Sequence, residues 1–283
     1  MAQGRCSSGT GQMPRAPVNG INIYYEVHGN GEPLLLIAGM GADHRSWFPQ
    51  IMAFRKRYRV ITFDGRGIGK SDTPIGLYTF RTLAEDVIGL MDHLRIDKAH
   101  MLGESLGGIV AQEVAILFPQ RLMKLVLANT SAGTGVGMQV HPELMEAYGG
   151  DSASTDFDAT KVDIGKAMRA MISLSFNSRL YRLAMGIAAT LYVRTAALSG
   201  MAEQIKAISN HSTLDRLHLI QSPTLVMVGT KDRIVPPAMS EILVGRIPGA
   251  RLVKIHNGPH ALNVEMRRRF NAEVLDFLNG VQG

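Results

Sequence analysis

Short apolar segments alternate with amphipathic ones along most of the chain. Residues 34–37 and 58–63 are mainly apolar, β-branched or aromatic, and each segment is followed by a glycine-rich turn. Such runs are typical of parallel strands that are covered on both faces. From residue 82 onward, apolar residues recur at three- and four-residue spacing and predict the buried stripe of a helix: Leu83, Val87, Leu90, Met91 and Leu94.

The alternation continues after residue 98 and is interrupted once. Before the interruption we predict a strand, a helix that stops before Pro119, and a second strand: residues 99–102, 106–118 and 124–128. After it we predict two strands, each followed by a helix: residues 224–228, 238–246, 251–255 and 261–278. Strands and helices at this spacing predict right-handed βαβ units in a doubly wound α/β fold with a mostly parallel sheet.

The interruption predicts the domain organisation. Between residues 133 and 212 the strand signal disappears, and segments rich in alanine and methionine predict a helical cap inserted into the core. The core is then split into residues 19–132 and 213–283. Residues 1–18 begin with a polar stretch rich in glycine and serine, and we expect them to form a disordered leader.

Composition and charge exclude several classes of function. The 30 Lys and Arg residues exceed the 24 Asp and Glu residues only mildly, and the densest basic run, residues 267–269, is expected on a solvated helix face, so we expect no nucleic-acid partner. The single cysteine, Cys6, cannot form an intramolecular disulfide, which fits a cytoplasmic protein. No window of about 18 uninterrupted apolar residues occurs, so no membrane partner is expected.

The segment Gly103-Glu104-Ser105-Leu106-Gly107 matches G-x-S-x-G, between a short apolar strand and an amphipathic helix. In this context the strand-to-helix turn is so sharp that positions two residues from the serine must be glycine, because Cβ atoms there would clash. The motif predicts that Ser105 is a nucleophile. The alternative is a serine that caps a helix in a glycine-rich turn.

A serine hydroxyl becomes a good nucleophile only when a base takes its proton. His260 is the best-placed histidine, because it follows the strand 251–255 and an Asn-Gly-Pro turn and so lies on a loop at the carboxyl edge of the sheet. His256 is the competing base, but it lies at the end of the same strand and has less freedom to reach over the sheet.

The base must in turn be oriented by an acid, and Asp232 follows the strand 224–228 at the same edge. The chain order Ser, Asp, His is the one expected for this fold. Asp64 is the competing acid. Its segment, residues 64–71, is better explained as a structural turn in which Arg66 pairs with a carboxylate. For the oxyanion we expect the backbone N–H groups of Met40 and Leu106 as donors.

These segments together resemble the α/β-hydrolase superfamily over residues 19–283, in its esterase- and lactonase-like branch of serine hydrolases with a helical cap. Residues 103–107 resemble the nucleophile elbow, 64–71 the Asp-x-Arg-Gly-x-Gly-x-Ser turn, 232–236 the acid loop and 258–260 the histidine loop. The chain departs from the pattern at residues 38–39, where it has Ala-Gly and members usually carry His-Gly. The donor N–H is kept there, but the resemblance does not fix the detailed shape of the loop.

The resemblance implies a serine esterase that cleaves a carboxylic ester or lactone of a small, mostly apolar substrate through an acyl-enzyme, with no metal and no organic cofactor. Serine at the elbow excludes the alkyl-enzyme chemistry of relatives that carry aspartate there. Carbon–carbon bond or amide hydrolysis on the same triad is an alternative, and so is a ligand-binding or sensory protein with little turnover. We expect Met168 and Met171 of the cap to line the substrate pocket. The oligomeric state stays open.

Overall fold

The computed structural model describes residues 14–76, 78–133, 141–150, 162–193, 198–209 and 211–280. Eight strands form one sheet in the order β1-β2-β4-β3-β5-β6-β7-β8. Strands β3 to β8 are mutually parallel, and β1 and β2 extend the sheet by antiparallel pairing. The predicted α/β fold with a mostly parallel sheet is therefore confirmed. The strands are β1 (Arg15–Val18), β2 (Ile21–His28), β3 (Glu32–Ile37), β4 (Tyr58–Phe63), β5 (Ala99–Glu104), β6 (Leu122–Ala128), β7 (Thr224–Gly229) and β8 (Arg251–Ile255).

Helices cover both faces of the sheet, as the continuous apolar strands predicted. In β3, Leu35 and Ile37 pack against the first layer of helices, whereas Leu34 and Leu36 pack against the second layer, on the opposite face. Because successive side chains point to opposite faces, a strand buried on both sides must be apolar at every position. The first layer contains α2 (Phe80–His93), α3 (Leu106–Leu117) and α8 (Pro237–Arg246). The second layer contains α1 (Phe48–Phe54), α9 (Leu262–Glu265) and α10 (Arg267–Asn279).

Two of these helices differ from the sequence prediction. The single helix predicted over 261–278 is divided at Met266, where φ is −113° and ψ is 33°, into α9 and α10. Helix α1 was not among the predicted elements, because its seven residues carry less than two full turns of periodic signal.

The predicted disordered leader is wrong for its last four residues. Residues 15–18 form β1, in which Ala16 and Val18 are buried and which pairs in antiparallel register with β2. Four residues carry only two repeats of the alternation, which is too short a signal to predict a strand. The strand is stabilised by its pairing with β2. Residues 1–13, which include Cys6, lie outside the described residues.

The cap segment lies between β6 and β7. Its described part contains the helices α4 (Pro142–Ala147), α5 (Ile164–Ser175), α6 (Arg179–Val193) and α7 (Leu198–Ser209). Buried cap residues such as Leu144, Ala167 and Ile205 pack with Ile234 and Val235, which follow β7. The cap therefore rests on the carboxyl edge of the sheet. Residues 134–140, 151–161, 194–197 and 210 of the predicted cap lie outside the described residues.

The two ends of the cap leave the core side by side. Gly133 and Ser212 form an antiparallel bridge, and the N–H of Thr213 donates to the carbonyl of Ala132 at 2.8 Å. Among the helices of the described ranges, none is long and apolar enough to cross a membrane.

Candidate active site

Ser105 lies at the tip of the sharp turn between β5 and α3, with φ 53° and ψ −121°. A positive φ at a residue with a side chain is strained, at a cost of about 1–3 kcal/mol. The flanking glycines are required as the motif predicted. A Cβ atom on Gly103 would lie 2.3 Å from the carbonyl oxygen of Gly107, and one on Gly107 would lie 2.2 Å from that of Ile37. Such strain is typical of a functional residue.

His260 and Asp232 form a buried pair on the loops that follow β8 and β7. The imidazole Nδ1 lies 2.8 Å from Oδ2 of Asp232, and the carboxylate is fully buried. The second carboxylate oxygen, Oδ1, accepts hydrogen bonds from the N–H groups of Ile234 and Val235, both at 2.9 Å. The acid is thus held by its own loop while its other oxygen orients the imidazole.

The surroundings of His260 keep it more basic than a free histidine. Burial lowers the pKa of its imidazole, but the charge and hydrogen bond of Asp232, together with the charge of Glu104, outweigh burial and raise the pKa above its ordinary value. A raised pKa strengthens the imidazole as a proton acceptor, provided that the pH leaves it neutral.

The two competing assignments are separated from this pair. His256 is exposed on the turn after β8. Asp64 is fully buried and accepts from the backbone N–H of His44 at 2.8 Å, while Nδ1 of His44 lies 2.6 Å from the same carboxylate oxygen. Asp64 therefore belongs to a different buried dyad.

The turn that begins with Asp64 has the structural role predicted for it. The guanidinium of Arg66 donates two hydrogen bonds to Asp86 of α2, at 2.5 and 2.6 Å, and both side chains are buried. The prediction that Arg66 pairs with a carboxylate is confirmed, and the pair ties this turn to the helix layer of the core.

The turn expected to supply one oxyanion donor lies against the nucleophile. A Cβ atom on Gly39 would lie 3.3 Å from Cβ of Ser105, so this glycine allows the turn to approach the elbow. Met40 is the next residue, and its Sδ is 3.9 Å from the hydroxyl of Tyr148 in the cap. Leu106 is buried as the first residue of α3. Leu106 follows Ser105 directly and Met40 follows the glycine that contacts Ser105, and the role of their N–H groups as oxyanion donors stays a prediction.

Similarity to known proteins decides the family. A model of the family described as the alpha/beta hydrolase fold matches residues 32–265. The chain belongs to the α/β-hydrolase family. The resemblance seen in the sequence motifs is thereby confirmed, over most of the chain.

This α/β-hydrolase has relatives with several stated activities. It is 30% identical over 262 residues to 3-oxoadipate enol-lactonase 2 of Acinetobacter baylyi. The aligned region covers 90% of this chain and 92% of that relative. It is 29% identical over 275 residues to a protein of Azorhizobium caulinodans named carbamate hydrolase RutD, covering 94% and 98%. Among solved structures, the enol-lactonase from Burkholderia xenovorans matches with a TM-score of 0.79 at 29% identity, covering 94% of this chain and all of that one.

Glu104 is a residue of this α/β-hydrolase whose electrostatic role the sequence reasoning missed. It directly precedes Ser105, and burial raises the pKa of its carboxyl group to about 7, with a lowering contribution from His260 and a raising one from Asp232. The sequence position of Glu104 could have indicated this, because the residue before the nucleophile ends a buried strand of the hydrolase and cannot be fully solvated.

One cluster of possible metal ligands occurs within the described ranges of the hydrolase. Asp43, His44 and Asp64 each offer a ligand atom, and these atoms lie within 4.8 Å of one another. The carboxylate of Asp43 already accepts from Arg45, however, and His44 lies between Asp64 and Glu26. These contacts explain the cluster as a network that holds two loops together.

Met168 and Met171, predicted to line the substrate pocket, lie on α5. Both are partly buried and pack against the apolar cluster that the cap forms with the loop after β7. Their contribution to a pocket of the hydrolase stays a prediction, since the same contacts serve packing within the cap.

Proposed function

We propose that this α/β-hydrolase is a serine esterase that cleaves a carboxylic ester or lactone of a small, mostly apolar substrate through an acyl-enzyme on Ser105. The observation that supports it best is the buried His260–Asp232 pair at the sheet edge where the strained turn presents Ser105. A base that is oriented by a buried carboxylate, at the same sheet edge as a strained serine, is the arrangement that nucleophilic acyl transfer requires.

In the first half of the reaction, the Ser105 hydroxyl attacks the carbonyl carbon of the substrate, and its proton passes to Nε2 of His260. Asp232 keeps the Nδ1 proton of the imidazole pointing at its own carboxylate, which leaves Nε2 free to accept. The negative charge on the tetrahedral intermediate is stabilised by the N–H groups of Met40 and Leu106. Collapse of the intermediate expels the alcohol, which takes the proton from His260.

In the second half, a water molecule attacks the acyl-enzyme. His260 removes a proton from this water, and the second tetrahedral intermediate releases the carboxylic acid while Ser105 regains its proton. With a lactone as substrate, the expelled alcohol stays attached to the acyl group, so the product is a single hydroxy acid.

The preference for esters and lactones is supported by the relatives and by the cap. Two of the similar proteins are named enol-lactonases. The cap cluster over the sheet edge is built from aliphatic side chains, methionines and Tyr148, which suits an uncharged acyl group. A second candidate is carbamate hydrolysis, favoured by the similarity to the protein named RutD. The same attack by Ser105 would then form a carbamoyl-enzyme.

A rapid-mixing assay tests the acyl-enzyme. With p-nitrophenyl acetate, we expect p-nitrophenolate to appear in a burst whose size matches the enzyme concentration, followed by a slower steady rate, and mass spectrometry should find the acetyl group on Ser105. A modified residue other than Ser105, or hydrolysis with no covalent intermediate under quenching, would contradict the mechanism.

A substrate panel tests the bond that is cleaved. We expect the highest kcat/KM for simple esters or lactones when these are compared with carbamates, aryl amides and vinylogous diketones at equal enzyme concentration. Highest kcat/KM for a carbamate would favour the second candidate. Highest kcat/KM for a vinylogous diketone would make carbon–carbon bond hydrolysis the activity instead.

A further inference from the structure

Asn129 occupies an unusual position directly after β6, the strand between the nucleophile strand β5 and the acid strand β7. It is completely buried, and its backbone is left-handed, with φ 45°. Among residues with a side chain, asparagine is one of the few that adopts this conformation readily. A buried polar side chain on strained backbone needs an explanation in its contacts.

The side-chain amide of Asn129 bridges the two loops that carry His260 and Asp232. Its Nδ2 donates to the backbone carbonyl of His260 at 2.5 Å, and its Oδ1 accepts from the backbone N–H of Gly229 at 3.1 Å. The carbonyl of Gly229 in turn accepts from the N–H of Asp232 at 3.0 Å. One carboxamide thus connects the main chain of the base with the turn that holds the acid.

The chemistry of this bridge selects asparagine. One end must donate and the other must accept, within a side chain short enough to lie between two backbones. An ionised aspartate has no donor for the His260 carbonyl, glutamine is longer, and serine offers a single oxygen for two separated partners. Asn129 therefore satisfies the backbone conformation, the donor and the acceptor together.

The next residue holds the nucleophile in the same way. The hydroxyl of Thr130 donates to the backbone carbonyl of Ser105 at 2.6 Å, and the N–H of Ser105 donates to Ala128 at 3.0 Å. The end of β6 is thus hydrogen-bonded to the main chain of the elbow and of the histidine loop. These contacts act on backbone groups, and they leave the reacting side-chain atoms free.

We propose that Asn129 is a positioning residue that fixes the main chain of His260, and with it the orientation of the imidazole between Asp232 and Ser105. The inference rests on the proposed function, in which His260 is the base. Asn129 acts through His260, so its replacement is expected to impair the transfer of protons rather than the binding of substrate.

Two variants and one control separate positioning from general stability. Asn129→Gly removes the bridge and keeps the left-handed backbone without strain, because glycine adopts positive φ freely. Asn129→Asp is nearly the same size and keeps an acceptor for Gly229, but it places an oxygen against the carbonyl of His260. Asn257→Gly is the control, since Asn257 is exposed and left-handed (φ 55°) on the same histidine loop.

The first measurement needs no substrate. The imidazole Cε1–H resonance of His260, assigned by its absence in His260→Gln, is titrated by NMR in the full-length protein. The charged groups that face His260 are Asp232 and Glu104, and the hydrogen bond to Asp232 raises the pKa. If loss of the bridge loosens this bond, the pKa of His260 falls in Asn129→Gly and is unchanged in Asn257→Gly. Asn129→Asp adds a negative charge near His260, which raises that pKa, so this variant is tested by kcat alone.

The second measurement is steady-state hydrolysis of p-nitrophenyl acetate by the same proteins. For Asn129→Gly we expect kcat to fall roughly 10- to 100-fold, the size of effect that follows from losing one or two buried hydrogen bonds, while KM changes by less than about two-fold. Asn257→Gly should retain the wild-type rate. If wild type hydrolyses none of the panel, the proposed function fails, and the titration alone still tests the positioning role.

The result that would overturn the inference is equally specific. A folded Asn129→Gly protein, judged by circular dichroism, with the wild-type titration of His260 and a kcat within about two-fold of wild type, would show that the bridge does not position the base. Should Asn129→Gly fail to fold, a folded Asn129→Asp protein with a kcat within about two-fold of wild type would overturn the inference.

Discussion

Gln204 of the cap helix α7 accepts a hydrogen bond from the backbone N–H of Gly41 at 3.0 Å, and its side chain is almost completely buried. Gly41 belongs to the turn that lies against Ser105 and is itself left-handed, with φ 68°. A cap side chain therefore holds the turn from which one oxyanion donor is expected. We therefore expect the cap to influence the chemistry through this contact.

Gln204→Leu should lower kcat/KM for esters by roughly 5- to 100-fold, because it leaves a partly buried N–H without an acceptor, at about 1–3 kcal/mol, and releases the turn beside the nucleophile. Gln204→Glu keeps an acceptor oxygen and should lose less. Glu203→Gln, on the same helix and paired with Lys206, serves as the control. Equal kcat/KM values for Gln204→Leu and wild type would show that the hydrogen bond between Gly41 and Gln204 does not affect catalysis.

Ser105→Ala should reduce ester turnover by a factor of about 10³ or more, and His260→Ala should reduce it by nearly the same factor, because nucleophile and base act as one unit. The measurement is kcat for p-nitrophenyl acetate on folded, purified variants. His256→Ala is the matched control and should retain activity, since that histidine is exposed on the turn after β8. An inactive His256→Ala enzyme beside an active His260→Ala enzyme would reverse the assignment.

Asp232→Asn should preserve the fold and reduce kcat by up to about 10⁴, since an amide holds the imidazole in the wrong tautomer. The two N–H groups of Ile234 and Val235 still find an acceptor in the amide oxygen, so the loop keeps its hydrogen bonds. Circular dichroism and kcat on the same sample check both statements. Full activity in this variant would mean that another residue orients the base.

Glu104→Gln should move the acidic limb of the kcat/KM profile to lower pH. The ionised carboxylate raises the pKa of His260, so a neutral side chain in its place lowers that pKa and keeps the imidazole unprotonated, and therefore active, to lower pH. The pKa of Glu104 itself is raised to about 7, so the variant also removes one titration from the neutral range.

The pH profiles of wild type, Glu104→Gln and the control Glu241→Gln test this prediction. Glu241 is an exposed residue of α8 that pairs with Lys254 at 2.6 Å, and its substitution should leave the limb in place. An acidic limb that stays fixed or moves to higher pH in Glu104→Gln would contradict the electrostatic coupling.

Met168→Ala and Met171→Ala should shift the chain-length preference among p-nitrophenyl esters, because truncation enlarges an apolar pocket and favours longer acyl groups. The measurement is kcat/KM across the series. Met185→Ala, at an exposed position of the cap helix α6, is the control. Unchanged profiles would assign the two methionines to cap packing alone, and preference for a dianionic substrate over every neutral ester would contradict the apolar pocket.

The sequence predicts where a residue lies when local geometry sets its position. Ser105 follows from the glycines that its turn requires, and Asp232 and His260 follow from their places after β7 and β8, since parallel strands end at one edge. Asn129 is not among the residues that the sequence predicts for the site. Its contact with His260 spans 131 residues, and no local pattern encodes a bridge of that length.

Short elements were missed for a related reason. Strand β1 and helix α1 are each stabilised by what they pack against, namely β2 for the strand and α9 and α10 for the helix. A periodic signal needs more residues than either element has. The electrostatics of Glu104 likewise depend on two side chains from distant loops, His260 and Asp232.

The paired ends of the cap make it separable from the core. Because Thr213 is hydrogen-bonded to Ala132 and Gly133 faces Ser212, the chain enters and leaves the cap at nearly the same place, as an inserted domain does. One cap can therefore be replaced by another in evolution while the turn with Ser105 and the His260–Asp232 pair keep their places in the core. Grafting the corresponding segment of an enol-lactonase between residues 133 and 212 would make a chimaera that shows how far substrate choice follows the cap.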